Sequence, residues 1–242
     1  MYLIIIIKHF DKIFIQSKLY PNEMKKTNIA GVFVEKNRLF TENLPLCKGI
    51  KVYNERLLTY KNREFRSWNP YRSKLAAAIL KGIKVEIKPD DKILYLGAAT
   101  GTTVSHFSDI VSKGIVYSIE SSPIAMNELL KVSEKRPNII PILEDAFHPD
   151  RYFSLISKVD LIYQDISQRN QAEILTANIK KFLKNKGTVI LMVKARSIDV
   201  SLKPKQAYKL ICTKLKNDGF QIIQTIDLAP YEKDHAAITI SK

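Results

Sequence analysis

Apolar and polar residues follow two different patterns along this chain, and the pattern changes before residue 67. From Gly31 to about Tyr60, apolar residues recur at every second position, which is typical of half-buried antiparallel strands. The runs turn at Lys36–Asn37 and at Asn54–Glu55, so this part predicts two hairpins. We therefore expect a small N-terminal antiparallel β domain over residues 1–66.

Beyond that domain, strand-like and helix-like segments alternate. Residues 69–81 predict a helix, because Asn69 can cap free N–H groups and Pro70 suits a first turn. Further segments predict strands at 92–96, 115–119, 139–143, 159–164, 188–193, 220–228 and 236–241, and helices near 101–112, 123–135, 170–183 and 204–217. The alternation favours a doubly wound α/β domain with a mostly parallel sheet over residues 67–242.

The last two predicted strands are joined only by residues 229–235. This connection is too short for a helical crossover, so the two strands must pair antiparallel. A mostly parallel seven-stranded sheet with a terminal antiparallel hairpin resembles the Rossmann-like fold of class I methyltransferases. Nucleotide dehydrogenases usually continue with parallel strands instead.

The charge of the chain points to a polyanionic partner. Lysine and arginine number 39 against 24 aspartate and glutamate, a formal net charge of +15. The first 90 residues hold 18 of these cations against 8 of the acids, so the excess is largest there. Phosphates attract such a distribution at long range. A merely basic globular protein is the alternative interpretation of charge alone.

The beginning of the chain and its cysteines exclude several classes of protein. The apolar run Met1–Lys8 is shorter than the ~20 residues that cross a bilayer, and it lacks signal-peptide features. Residues 1–23 are interpreted as an extension or an extra strand, with Met24 as an alternative start. Cys47 and Cys212 lie far apart, which favours a reducing compartment over a disulfide framework or a zinc site.

A glycine-containing loop follows the first strand of the α/β domain. In Ile93–Thr103 an apolar strand leads into a loop of small residues and then a helix, with Gly97 and Gly101 allowing close approach of a ligand. The helix N-terminus favours a carboxylate as much as a phosphate. The loop lacks the Gly-Lys-Ser/Thr of a P-loop and the full GxGxxG spacing, which weakens the phosphate and NAD interpretations.

Two acids follow the next strands. Glu120 ends the second strand and can accept hydrogen bonds from both hydroxyls of a ribose. Asp145 follows the third strand, where it can accept from the exocyclic amine of adenine. Because carboxyl ends of parallel strands share one edge of the sheet, the loop and both acids predict a nucleoside-type cofactor there.

Five stretches of this chain resemble the fibrillarin family in order and with little gap, over about residues 30–242. They are Trp68–Ala77, Leu94–His106, Tyr163–Gln168, Met192–Asp199 and Leu228–His235. The resemblance implies an S-adenosylmethionine-dependent enzyme that methylates the ribose 2′-hydroxyl of rRNA, and also of tRNA, within a C/D-box ribonucleoprotein. It further implies a C/D-box guide RNA, a Nop-domain scaffold protein and a kink-turn-binding ribosomal-type protein as partners, and no membrane.

The resemblance also implies the site residues. The family's catalytic Lys–Asp–Lys–His set falls on Lys74, Asp165, Lys194 and His235. Lys194 would orient the 2′-hydroxyl and accept or relay its proton. Cofactor contacts are expected from the following residues: Gly97, Ala98, Ala99, Thr100, Gly101, Thr102, Thr103, Glu120, Asp145, Ala146, Asp165 and Gln168. No metal is expected.

Several alternatives remain open at this point. The chain lacks the family's Gly/Arg-rich extension, which favours an archaeal, cytoplasmic form or a nucleolar one from a reduced eukaryote. A stand-alone RNA or protein methyltransferase, a non-catalytic ribonucleoprotein subunit and an NAD enzyme are the rival functions. Basic residues expected to face RNA phosphates, although each is a candidate for a merely solvated side chain, are Arg63, Arg66, Arg72, Arg169 and Arg196.

Overall fold

A computed structural model of the protein describes residues 23–241. The interpretation of residues 1–23 therefore lies outside the described residues, except at Glu23. Within residues 23–241, no helix has the length and apolar character needed to cross a bilayer. In the same range, no three His, Cys, Asp or Glu side chains converge where a metal ion could bind.

The N-terminal part forms a five-stranded antiparallel sheet in the order β1-β2-β3-β5-β4. Its strands are β1 (Lys25–Lys26), β2 (Val32–Glu35), β3 (Arg38–Glu42), β4 (Leu57–Tyr60) and β5 (Arg63–Trp68). Lys36 and Asn37 take positive φ angles between β2 and β3, so the first predicted turn is confirmed. Strand β5 continues to Trp68, whereas the predicted domain ended at residue 66.

The second predicted hairpin has its turn in a different place. The chain reverses at Lys61–Asn62, between β4 and β5, and not at Asn54–Glu55. The physical reason is Glu55, which is buried and whose carboxylate accepts the backbone N–H groups of Val52 and Tyr53. This carboxylate closes residues 52–55 into a loop and prevents their pairing as strands.

The remainder is an α/β unit with a seven-stranded sheet in the order β11-β12-β10-β9-β6-β7-β8. Its strands are β6 (Lys92–Leu96), β7 (Ile115–Glu120), β8 (Ile139–Leu143), β9 (Val159–Gln164), β10 (Leu183–Lys194), β11 (Gln221–Asp227) and β12 (His235–Ser241). Neighbours from β10 to β8 pair parallel, while β12 pairs antiparallel with both β10 and β11. The predicted fold class, including its terminal antiparallel hairpin, is confirmed.

Helices cover both faces of this sheet. They are α1 (Lys74–Leu80), α2 (Thr102–Ile110), α3 (Pro123–Ser133), α4 (Gln171–Phe182), α5 (Ala195–Ile198) and α6 (Pro204–Asn217), and 3₁₀ turns span Pro45–Cys47 and Pro149–Leu155. One buried cluster joins α1, α2 and Trp68 of the small sheet to one face, and a second joins α4 and α6 to the other. Because both faces are covered, the central strands are mostly apolar.

The predicted helix over residues 69–81 is shorter than expected. It begins at Lys74, where the Ser73 hydroxyl caps it by accepting from the N–H of Ala76. Asn69 caps a turn instead: its side-chain oxygen accepts from the N–H of Tyr71, and its carbonyl accepts from Arg72. The single-turn helix α5 escaped prediction because four residues are too few to show a helical period.

A buried ionic cluster joins the two sheets. The Arg66 guanidinium is fully buried and donates to Glu55 and to Asp109, which also accepts from Arg136. The expectation that Arg66 faces RNA is therefore wrong, because two carboxylates hold its guanidinium in the interior. His106 stacks on Trp68 nearby, and burial together with Arg66 and Arg136 holds its pKa well below the ordinary value.

Candidate active site

The loop after β6 is shaped by two glycines with positive φ. A Cβ at Gly97 (φ 84°) would lie 2.6 Å from the carbonyl oxygen of Asp165, which is far too close for any side chain. A Cβ at Gly101 (φ 89°) would lie 3.0 Å from Leu129 Cδ1. Glycine at position 97 therefore lets the ends of β6 and β9 approach each other, whereas the sequence analysis assigned it to the close approach of a ligand.

A cleft of about 280 Å³ opens at the carboxyl ends of β6, β7, β8 and β9. Seven of the predicted cofactor residues line it: Gly97, Ala99, Glu120, Asp145, Ala146, Asp165 and Gln168. Asp165 therefore lies on the same side of the sheet edge as Gly97 and Glu120, as the methyltransferase interpretation requires.

The two predicted ligand-binding acids are held by backbone groups. Glu120 Oε2 accepts the N–H of Ala99 and Oε1 accepts the N–H of Ser122, both at 2.8 Å. Asp145 Oδ1 accepts the N–H of Phe147 at 2.9 Å. These bonds fix both carboxylates at the cleft wall, so they are oriented before any ligand arrives.

Five predicted cofactor residues do not line this cleft. Ala98 is buried, and Gly101 packs against Leu129. Thr100 and Thr102 line a neighbouring cavity beside α3. The Thr103 hydroxyl donates to Ser73 Oγ at 3.0 Å, which connects the loop helix α2 to α1. Of these five residues, Gly101 and Thr103 shape or support the loop.

Lys74 and Asp165 form an ion pair at the edge of the cleft. Lys74 Nζ donates to both carboxylate oxygens of Asp165, at 2.9 and 3.0 Å. Both side chains are partly exposed, at 22% and 18% respectively. Lys74 is the first residue of α1 and Asp165 directly follows β9, so the packing of α1 on the sheet brings them together.

Lys194 and His235 lie side by side on the same face. They are directly paired in the register of β10 and β12, and opposed residues of an antiparallel pair project to one face. Two and four residues before Lys194, Met192 and Ile190 pack in the cluster that contains α1. Strand alternation therefore puts Lys194 on the face where Lys74 meets Asp165.

The ring of His235 has a defined orientation. Its Nδ1 lies 2.7 Å from the carbonyl oxygen of Lys233. Because a carbonyl only accepts, Nδ1 carries a proton and donates it. In the neutral ring Nε2 is then the nitrogen that can accept a proton or a hydrogen bond.

Several cleft residues escaped the sequence analysis. They are Ile119, Ser121, Glu144, Ile166 and Ser167. Each neighbours a predicted residue at a strand end, and that adjacency was the only signal available. Glu144 is the notable omission, because it places a second carboxylate beside Asp145.

The terminal antiparallel hairpin, the glycine loop and the acids at successive strand ends together define a class I methyltransferase fold. Comparison with known proteins narrows this class, since the family model for fibrillarin matches residues 23–242. The chain belongs to the fibrillarin family.

Three relatives illustrate the similarity. The fibrillarin-like rRNA/tRNA 2′-O-methyltransferase of Saccharolobus islandicus (strain L.S.2.15 / Lassen #1) is 48% identical over 222 residues, which cover 89% of this chain and 95% of the relative. Aeropyrum pernix fibrillarin, solved with natively bound S-adenosyl-L-methionine, is 41% identical with a TM-score of 0.81, covering 90% of this chain and 98% of that one. A fibrillarin/Nop5p complex contains a chain 44% identical with a TM-score of 0.82, covering 89% and 99%.

Proposed function

We propose that this chain is the catalytic subunit of a C/D-box ribonucleoprotein, an RNA-guided enzyme that methylates ribose 2′-hydroxyls of rRNA and tRNA. The observation that carries the proposal is the Lys74–Asp165 ion pair at the edge of the cleft that Gly97 and Glu120 line. The name of the Saccharolobus relative supports the reaction and the substrate class.

The cleft fits S-adenosylmethionine, the ligand bound by the Aeropyrum relative. Glu120 would accept from the ribose hydroxyls of the cofactor, and Asp145 from the adenine amine. Gly97 lines the cleft without a side chain, and the space that a Cβ would need there is already taken by the Asp165 backbone. When bound, S-adenosylmethionine supplies a methyl group on a positively charged sulfur, which is a strong leaving group.

With a leaving group already activated, the protein must align the 2′-oxygen and manage its proton. Alignment alone can contribute about 7–11 kcal/mol when the geometry is near attack. Lys194 would orient the 2′-hydroxyl and, as the neutral amine, would accept or relay its proton. Asp165 holds Lys74 and offsets the charge of the lysines, and His235 relays the proton through Nε2 or binds a phosphate.

The partners follow from the same proposal. The fibrillarin/Nop5p complex supports a Nop-domain scaffold as one partner. A C/D-box guide RNA would select the target nucleotide, and a kink-turn-binding protein would hold the guide. We place the particle in the cytoplasm of an archaeal cell.

An assembly assay tests this function. Methyl transfer to a target RNA is measured with the chain, guide, scaffold and kink-turn protein together, and again with each component omitted. We expect transfer only in the complete mixture. Efficient methylation of naked RNA by the chain alone would instead support a stand-alone enzyme. Failure of the chain to bind S-adenosylmethionine in calorimetry would support a non-catalytic subunit.

A further inference from the structure

A second cavity, of about 410 Å³, lies beside the glycine loop, where the small sheet joins the α/β unit. Residues 50–53, in the loop before β4, line it on the side of the small sheet. Thr100 and Thr102 of the glycine loop line it as well, and so do residues in and after the C-terminal half of α3. A ligand in this cavity would therefore contact both parts of the molecule.

Cations outnumber acids in the lining of this cavity. Lys51 and Lys135 line it and are exposed, and among the described residues neither ammonium has an ion-pair partner. Lys131 is paired with Glu128, which is the one acid among the described lining residues. Glu134, next to Lys135 in the chain, is exposed but does not line the cavity. The excess of positive charge favours an anionic ligand.

A third cation lies at the edge of the cavity. The guanidinium of Arg72 lies over the ring of Tyr53, a lining residue, at 5.4 Å from the ring centroid. Arg72 is exposed and forms no ion pair with any residue that the structure describes. Arg136 is by contrast buried, and Asp109 compensates its charge. Arg72 therefore joins the two exposed lysines as a cation available to a ligand, whereas Arg136 belongs to the buried ionic cluster.

The lining suits a sugar–phosphate backbone better than an exposed base. Among the described lining residues Tyr53 is the only aromatic one, and it is half-buried. Arg72 lies over its ring and its hydroxyl is 2.7 Å from His106 Nε2, so it offers little surface for stacking. Exposed ammonium groups beside a hydroxyl such as that of Thr100 are the groups that bind phosphate and sugar oxygens. An RNA duplex is recognised mostly through such contacts, because its bases are paired and stacked.

The cavity adjoins the proposed active site through the start of α1. Arg72 lies two residues before Lys74. Between them, the Ser73 hydroxyl accepts a hydrogen bond at 3.0 Å from Thr103, which directly follows the lining residue Thr102. Under the proposed function the guide pairs with the target around the methylated ribose. The phosphates that neighbour a ribose held beside Lys74 therefore belong to a duplex.

We infer that this cavity binds backbone phosphates of the guide–target duplex beside the methylated nucleotide, an inference that rests on the proposed function. Lys51, Arg72 and Lys135 pair with the phosphates, and the Thr100 hydroxyl donates to a phosphate or ribose oxygen. Such contacts hold a duplex in position without reading its sequence. The guide itself specifies the sequence, so contacts of this kind are the ones that the enzyme needs.

Binding of a labelled RNA duplex of about 16 base pairs, the length that a double-stranded RNA domain spans, tests the inference without requiring catalysis. Fluorescence anisotropy is followed from about 50 to about 200 mM salt for the parent and for the Lys51→Ala/Lys135→Ala double variant. Lys205→Ala/Lys209→Ala is the matched control. It removes the same charge from two exposed lysines of α6, which covers the opposite face of the sheet.

We expect the cavity variant to bind the duplex at least about tenfold more weakly, and its log–log salt slope to fall by about 1.8, for two lost duplex phosphate contacts. The α6 variant should stay within about twofold of the parent in affinity. Calorimetry should show unchanged affinity for S-adenosylmethionine in both variants, since neither pair of lysines lines the cofactor cleft. In the assembled particle the cavity variant should raise KM for the target RNA and leave kcat within about twofold.

Duplex binding by the cavity variant that matches the α6 variant in affinity and slope would overturn the inference. Loss of scaffold capture in gel filtration, with unchanged duplex binding, would overturn it as well and assign the cavity to a protein. Failure of the parent to bind the duplex at about 50 mM salt would have the same consequence. None of these results depends on methyl transfer by the parent particle, so the proposed function is tested separately.

Discussion

At the scale of single residues, the ion pair of Lys74 and Asp165 shows what a sequence can reveal. These residues are 91 positions apart, and a lysine at a helix start is ordinarily a solvated surface residue. Only the resemblance to a family singled out Lys74, whereas Asp165 and Lys194 could be placed at strand ends by the hydrophobic pattern. Thr103 shows what a sequence cannot reveal. Its hydroxyl donates a hydrogen bond to Ser73, and the order of residues along the chain gives no sign of that contact.

Removal of the Lys194 amino group tests its role in handling the proton of the 2′-hydroxyl. We expect Lys194→Ala to lower single-turnover methyl transfer by about 10²–10⁴-fold, the usual contribution of a positioned acid or base. Affinity for S-adenosylmethionine should change by less than about threefold, since Lys194 does not line the cofactor cleft.

Lys113→Ala is the control for that experiment, because Lys113 is an exposed lysine just before β7, at the amino end of the strands. It should transfer methyl groups at the parental rate. Equal turnover by Lys194→Ala and Lys113→Ala would remove Lys194 from the mechanism.

At the scale of elements, strands were predicted better than turns and caps. Strands 92–96, 139–143 and 159–164 have the observed bounds. The first and the last are central and mostly buried, so their apolar runs end abruptly, and the edge strand 139–143 is likewise a short apolar run. The turn expected at Asn54–Glu55 and the helix start expected at Asn69 were wrong. The turn is displaced because Glu55 is buried in an ion pair with Arg66, which is distant in the sequence. The helix starts later because the Ser73 hydroxyl, and not Asn69, caps it through the N–H of Ala76.

The close approach of β6 and β9 depends on Gly97. Gly97→Ala places a methyl group against the Asp165 carbonyl, so we expect cofactor affinity to fall at least about tenfold. The clash should lower the free energy of unfolding by ~1–3 kcal/mol, in addition to the loss caused by backbone strain. Gly82→Ala has nearly the same φ, 81°, with open space around its Cβ. The loss of unfolding free energy in Gly82→Ala therefore measures backbone strain alone, about 1–2 kcal/mol.

Calorimetric titration with S-adenosylmethionine and thermal unfolding measure both variants of that pair. Gly82→Ala should bind the cofactor as the parent does. Equal cofactor affinity for the two alanine variants would show that the approach of the strands does not shape the cofactor cleft.

At the scale of the whole molecule, charge is divided between interior and surface in a way that composition conceals. The formal charge of +15 reports an excess of cations, but it does not show which of them are buried and which are exposed. Arg66 and Arg136 are buried, and Glu55 and Asp109 compensate their charge. These ion pairs join the small sheet to the larger unit. Arg38 and Arg56, which no sequence signal distinguished, are exposed at the surface.

The central claim concerns the atom that receives the methyl group. It is tested most directly by supplying S-adenosylmethionine with an isotopically labelled methyl group to the assembled particle and locating the label by mass spectrometry of the digested target RNA. The account predicts label on the ribose 2′-oxygen of one nucleotide, and none when that nucleotide is replaced by its 2′-deoxy form. Label on a base, or undiminished labelling of the deoxy target, would contradict it.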